Sequence, residues 1–167
     1  TGTKSTISAS RLKSVGKNLV NYKNITDRGA GSVTIIENGI EYEGNYYFFV
    51  PVSNLKIGQP YVLSFTAEQI SGGVAISPRW RFVYTDGTYS SQTVPGDTIT
   101  PSKAVQRIWL YSSPSGDVLK TRYTDIQLEP GSTATPYEPY TESTQYLPNV
   151  GELRSLPNGV RDEIRIG

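Results

Sequence analysis

The chain of 167 residues contains no cysteine, no histidine and no methionine. Without cysteine and histidine there can be no Ser-His-Asp triad, no Cys-His nucleophile, no histidine acid/base chemistry and no zinc site of the usual nitrogen and sulfur type. Disulfides are impossible, so the fold rests on its core, and cysteine usage says nothing of the redox compartment. Charge of one sign is equally scarce: Lys+Arg 16 against Asp+Glu 15 leaves +1. No overall field draws DNA, RNA or an anionic membrane. Hydrophobic residues make up only 36%. The longest apolar run, Tyr46 to Val50 before Pro51, is far short of the ~20 residues of a membrane span. The opening TGTKSTISAS lacks the apolar core of a signal peptide. The missing start methionine suggests a processed chain or a piece of a longer one, and we favour the piece; the end at Arg165-Ile166-Gly167 looks cut mid-strand.

What is present points to strands. Tyr 12, Gly 16 and Pro 11, with abundant Ser and Thr, describe short strands broken by turns, and no apolar helical stripe persists. Ser32 to Ile36 and Ile40 to Glu43 alternate around Glu37-Asn38-Gly39, a hairpin signal. Tyr46 to Val50 is too continuous for a one-sided strand and is expected to be covered on both faces. Tyr61 to Glu68 places Tyr61, Leu63, Phe65 and Ala67 on one face, with Ser64, Thr66 and Glu68 opposite. Arg79 to Tyr84 is answered across Thr85-Asp86-Gly87 by Tyr89 to Val94; Val105 to Tyr111 and Asp125 to Leu128 are further strands. The chain is therefore all-β, and spacings of about a dozen residues suggest a sandwich or barrel. Residues 1–15 read as a polar lead-in, helical or extended from Ile7 to Val15. Residues 16–140 read as one domain, and 141–167 as a connector to a neighbouring module, with a turn at Leu156-Pro157-Asn158-Gly159.

Two stretches carry a resemblance: Gly16-Lys17-Asn18-Leu19-Val20, and Thr124 to Thr135 (TDIQLEPGSTAT) with Pro136-Tyr137-Glu138-Pro139-Tyr140 behind it. Together they resemble the first and last strands of jelly-roll carbohydrate-binding modules inserted in tail and baseplate proteins of phages and prophages of Gram-positive bacteria. The tail Leu153 to Glu163 resembles the segment leading out of that module in phage minor structural proteins. The resemblance spans residues 16–163 and is dense only at its two ends. It implies a jelly-roll β-sandwich of two antiparallel sheets, one concave, with sugar bound across that face or at the loop rim. It also implies a place in the virion, attachment to host cell-wall or surface polysaccharide, other phage tail proteins as neighbours, and many copies on an oligomeric tail. The alternative is a structural spacer making protein contacts.

Sugar rings offer apolar C–H faces ringed by hydroxyls, so a binder needs exposed aromatic platforms beside planar hydrogen-bonding groups. In Val105 to Tyr111, Ile108 and Leu110 should face the core, which sends Arg107, Trp109 and Tyr111 outward as a sugar platform; the alternative is that Trp109 and Tyr111 pack inward with Ile108 and Leu110 under an outer layer, or that a bulge breaks the alternation. In the strand Arg79 to Tyr84, Trp80, Phe82 and Tyr84 should be core, with Arg79 and Arg81 outward beside Arg107; the inverted assignment would make Trp80 a platform. Glu68 is expected to accept sugar hydroxyls or pair with Arg81 or Arg107, or else to be a solvated strand-end charge. Asp125 is a weak calcium candidate on the resemblance, with Asn18 or Glu129 contributing, or a simple turn residue. Glu41 and Glu43, about 7 Å apart along one strand face, are the nearest thing to a glycosidase pair, and catalysis is not expected of them.

Overall fold

The computed structural model describes residues 11–25, 31–112 and 118–146. In chain order the strands are β1 (Arg11–Val15), β2 (Gly31–Ile36), β3 (Gly39–Gly44), β4 (Tyr47–Pro51), β5 (Tyr61–Ser71), β6 (Arg79–Tyr84), β7 (Thr98–Ile99), β8 (Val105–Tyr111), β9 (Leu119–Pro130) and β10 (Glu142–Tyr146). A 3-10 turn at Tyr22–Asn24 precedes β2. A compact unit runs from Val15 to Thr141 and holds two antiparallel sheets, β2-β3-β9-β5-β7 and β4-β8-β6. The two ends of the chain make a second unit, where β1 pairs with β10. There Lys13 bridges Glu142 at 2.9 Å, and the hydroxyls of Ser14 and Ser143 lie 2.6 Å apart. The lead-in and connector expected at the ends thus contain strands. Ile7 to Ser10, the turn at Leu156–Gly159, the stretch Leu153–Glu163 and the end at Arg165–Gly167 lie outside the described residues. Among the described residues no helix is long and apolar enough to cross a membrane.

Alternation builds the main unit. The β2–β3 hairpin closes with Ile36 opposite Gly39, and a Cβ at Gly39 would collide with the carbonyl of Tyr123 on β9. From the five-stranded sheet Ile40, Tyr42, Tyr61, Leu63, Tyr123, Ile126 and Leu128 enter one apolar cluster. From the three-stranded sheet Phe48, Val50, Trp80, Phe82, Tyr84, Ile108 and Leu110 meet them, so the unit is β-sandwich-like. The long strands β5 and β9 do not keep one alternation throughout. Ser64 pairs with Gln127 but Thr66 with Thr124, so β9 carries one residue more than its partner. Asp125 sits in that bulge with φ 54. The inserted residue returns Ile126 and Leu128 to the core side, which Tyr123 also faces.

The first and last parts of this unit are fastened together. Asn18, 1% exposed, accepts from the backbone N–H groups of Val20 and Leu128 at 2.9 and 3.2 Å. Its amide donates to the carbonyls of Ile126 and Glu138 at 2.9 and 3.1 Å. Glu129 accepts from Gln127 Nε2, Thr135 N and Thr135 Oγ1 at 2.8, 2.8 and 2.7 Å. Burial is the largest single influence on the Glu129 carboxyl and pushes it up; the bonds from Thr135 and Gln127, with Lys17 nearby, outweigh it and leave the group lowered. Buried polar groups satisfied in this way hold a unique register, because any slip leaves several of them unpaired.

Candidate functional site

The outward side of the three-stranded sheet is built in rows by strand register. Tyr47 of β4, Tyr111 of β8 and Arg79 of β6 form the first row; Phe49, Trp109 and Arg81 form the second; Pro51, Arg107 and Val83 form the third. Period two puts these residues outside because Phe48, Val50, Trp80, Phe82, Ile108 and Leu110 are inside. Tyr46 joins from the turn before β4, and Tyr89 from the segment bridged to Val83.

The aromatic rings interlock. Trp109 meets Tyr47 edge-on at 4.3 Å, tilts against Tyr89 at 4.9 Å and stacks near Tyr111 at 5.4 Å. The Arg81 guanidinium lies 4.2 Å from the Tyr89 ring centre and 4.3 Å from that of Trp109, and Arg107 lies 3.5 Å over Phe49. Cation–π contacts of this kind hold a guanidinium against the rings. Arg81 Nε and Trp109 Nε1 are buried donors with no acceptor among the described residues. Burial pushes the Tyr111 phenol up to about 12, with Arg81 pulling the other way.

Accessibility divides this face. Trp109 is half-buried and Tyr111 only 3% exposed, so both lie within the layer rather than standing open on it. The open rings are Tyr46, 38% exposed, and Tyr89, 48% exposed. At the first row a cavity of about 230 Å³ is lined by Tyr46, Ser77, Arg79, Gln92 and Tyr111. A larger groove of about 570 Å³ runs past Tyr89, Ser90, Gln92, Thr93, Thr98 and Ser102. Gln92 lines both. A tyrosine wall beside a guanidinium, an amide and a hydroxyl can stack one face of a ring and hydrogen-bond its rim.

Arg81, Arg107, Trp109 and Tyr111 therefore lie together. Trp80 does not join them: it is fully buried, donating from Nε1 to the carbonyl of Val94 at 3.0 Å, which rules out a platform role. Glu68 is also elsewhere. It lies on β5 in the other sheet, opposite Arg122, whose Nη1 is 3.2 Å from its carboxylate, so the expected pairing with Arg81 or Arg107 does not form. Strand faces were readable, but which strands share a sheet was not. Asp125 is an exposed bulge residue, while Asn18 and Glu129 are taken up by hydrogen bonds within the protein, so the three do not assemble as a ligand set. Among the described residues no three acidic side chains cluster to hold a metal. Glu41 is bound at 2.8 Å by both Lys120 and Arg122, and those bonds hold its carboxyl below the ordinary range, unlike the proton donor of a glycosidase pair.

Several lining residues escaped the sequence reading. By alternation Tyr46 belongs with Phe48 and Val50 on the core side, but it precedes the first residue of β4 and its ring turns toward Tyr111, centroids 5.2 Å apart. Ser77 and Gln92 lie outside the strands, and no local pattern marks them. Compared with protein-family models, with curated proteins and with solved structures, the chain matches none.

Proposed function

We propose that Val15–Thr141 is a non-catalytic carbohydrate-binding module of jelly-roll type, part of a phage tail adhesin that attaches to host cell-wall or surface polysaccharide. The observation that carries this reading is the outer face of β4, β6 and β8. There the open ring of Tyr46 and the buried ring of Tyr111 border a cavity with the hydroxyl of Ser77, the amide of Gln92 and the guanidinium of Arg79 in its wall, and the open ring of Tyr89 borders the neighbouring groove. The jelly-roll assignment is supported by two facing antiparallel sheets joined mostly by crossing connections, β2-β3-β9-β5-β7 and β4-β8-β6, with Tyr89 and Thr93 bridged to β6. The motifs behind the phage-tail resemblance, Gly16 to Val20 and Thr124 to Tyr140, form the fastening around Asn18 and Glu129. They therefore support the fold part of the resemblance, and the binding face lies in the stretch between them.

The test is binding of the protein, displayed in many copies, to Gram-positive cell walls and a glycan array, with Tyr46→Ala beside the parent protein. Multivalent display compensates for weak single sites. A retained fold with binding reduced about tenfold supports the reading. Binding to no wall or glycan would sink it and favour a tail-assembly spacer, for which a Tyr-, Trp- and Arg-rich face is equally suited.

A further inference from the structure

The charges of the two sheets are distributed differently. Strands β4, β6 and β8, with the segment 89–94, carry Arg79, Arg81 and Arg107 and not one Asp or Glu. Arg79 is exposed on the cavity wall and, among the described residues, forms no ion pair. Among the described residues Arg81 is engaged by rings, and its buried Nε has no acceptor. On the other sheet Lys120 and Arg122 are matched by Glu41 and Glu68 at 2.8 to 3.2 Å. A net charge of +1 over the chain thus hides a local cationic face. A guanidinium beside a stacking ring is a strong holder of planar or tetrahedral oxyanions, because it offers paired donors in a fixed fork.

Building on the carbohydrate-binding reading, we propose that the ligand of this face is an anionic saccharide. Its acidic group is held by Arg79 in the cavity with Ser77 and Gln92, and its adjoining ring lies against Tyr46. The shared chemistry is an oxyanion on a sugar polymer, supplied either by a uronic carboxylate or by a phosphodiester. Arg81, packed on Tyr89 and Trp109, extends the same positive strip to a second acidic group along the polymer.

The experiment measures binding of the multivalent protein to three immobilised polymers of similar length: a polyuronate, a glycerol-phosphate polymer and a neutral glucan. An anionic polymer is expected to bind at least tenfold more tightly than the glucan, with affinity falling as salt is raised from 50 to 500 mM. Arg79→Gln should remove that advantage, whereas Lys103→Gln, a cation already paired with Asp86 at 2.8 Å, should leave it intact. Arg79 is exposed, so a folded variant is expected, checked by its unfolding temperature. Lowering the pH through ~4 separates the sources: a carboxylate ligand is neutralised and released, while a phosphodiester stays bound. Equal binding of the glucan and both anionic polymers, or an anion preference that survives Arg79→Gln, would overturn this inference and leave carbohydrate binding standing. Binding to cell walls and glycans by none of these routes removes both.

Discussion

The outer faces of the two sheets are made from the same strand geometry and have opposite chemistry. On the five-stranded sheet, cross-strand neighbours Glu41, Arg122 and Glu68 satisfy one another, with Lys120 joining at Glu41. On the three-stranded sheet, arginines lie on aromatic rings and, among the described residues, Arg79 meets no carboxylate. The first face is electrostatically closed, and a ligand approaching it would have to displace existing partners. The second leaves the exposed charge of Arg79 and the open rings of Tyr46 and Tyr89 available. An exposed cation beside open rings distinguishes a binding face from a merely solvated one.

The largest expected effect strikes both faces equally. Asn18→Ala removes four hydrogen bonds, three of which join the start of the unit to β9 and to Glu138, and it should cost about 3 kcal/mol, read by chemical denaturation. A loss below about 1 kcal/mol would mean that the fastening is incidental. Trp109→Ala acts on one face alone. It withdraws the ring under Arg81 and the neighbour of Tyr47, Tyr89 and Tyr111, and should cost about 2 kcal/mol, less than a fully buried tryptophan, together with saccharide binding. Unchanged binding in a folded variant would show that the aromatic layer does not organise the site.

The smallest effect is expected from Glu41→Gln. Its ion pairs are at the surface, where solvent screens them, so stability at neutral pH should barely move and binding should not. That small difference should disappear in acid. Hydrogen bonds from Lys120 and Arg122 lower the folded carboxyl from its ordinary 4.5. A lowered folded value means that Glu41 contributes above about 4.5 and that its contribution is lost as pH falls through the folded value. Glu41→Gln should therefore flatten the acid limb of the unfolding-temperature profile. Arg79→Gln, on a face whose strands hold no acid, should keep the parent profile, and a changed acid limb there would show that a carboxylate reaches Arg79 after all.

Much of the second face was legible from residues alone. In Arg79 to Tyr84 and Val105 to Tyr111 a strict period of two makes one choice of inside determine every residue, and the structure makes that choice by burying Trp80, Phe82, Ile108 and Leu110. The run Tyr46 to Val50 was expected to be covered on both faces. Phe48 and Val50 are core, while Tyr47 and Phe49 are half-covered by rings and an arginine of their own sheet rather than by another layer. Three features were not legible, each for a non-local reason. The pairing of Glu68 with Arg122 was not among the readings its strand offered, because strand pairing is chosen by the whole topology. Asp125 bulges because β9 must bring Ile126 and Leu128 back to the core against a partner one residue shorter. The two-residue β7 is too short to show a period.

The sequence by itself determined an all-β chain without disulfides, without histidine or cysteine chemistry, and with inward and outward sides for its regular strands. These properties follow from side-chain inventory and from the alternation of the extended backbone, which are local. Only the tertiary structure decided that Arg81 rests on Trp109 and Tyr89, that Tyr46, Ser77, Arg79 and Gln92 converge with Tyr111, and that Glu41 and Glu68 are neutralised on the other sheet. Those relations join residues far apart in the chain, and their partners are set by which strands the packed core brings side by side.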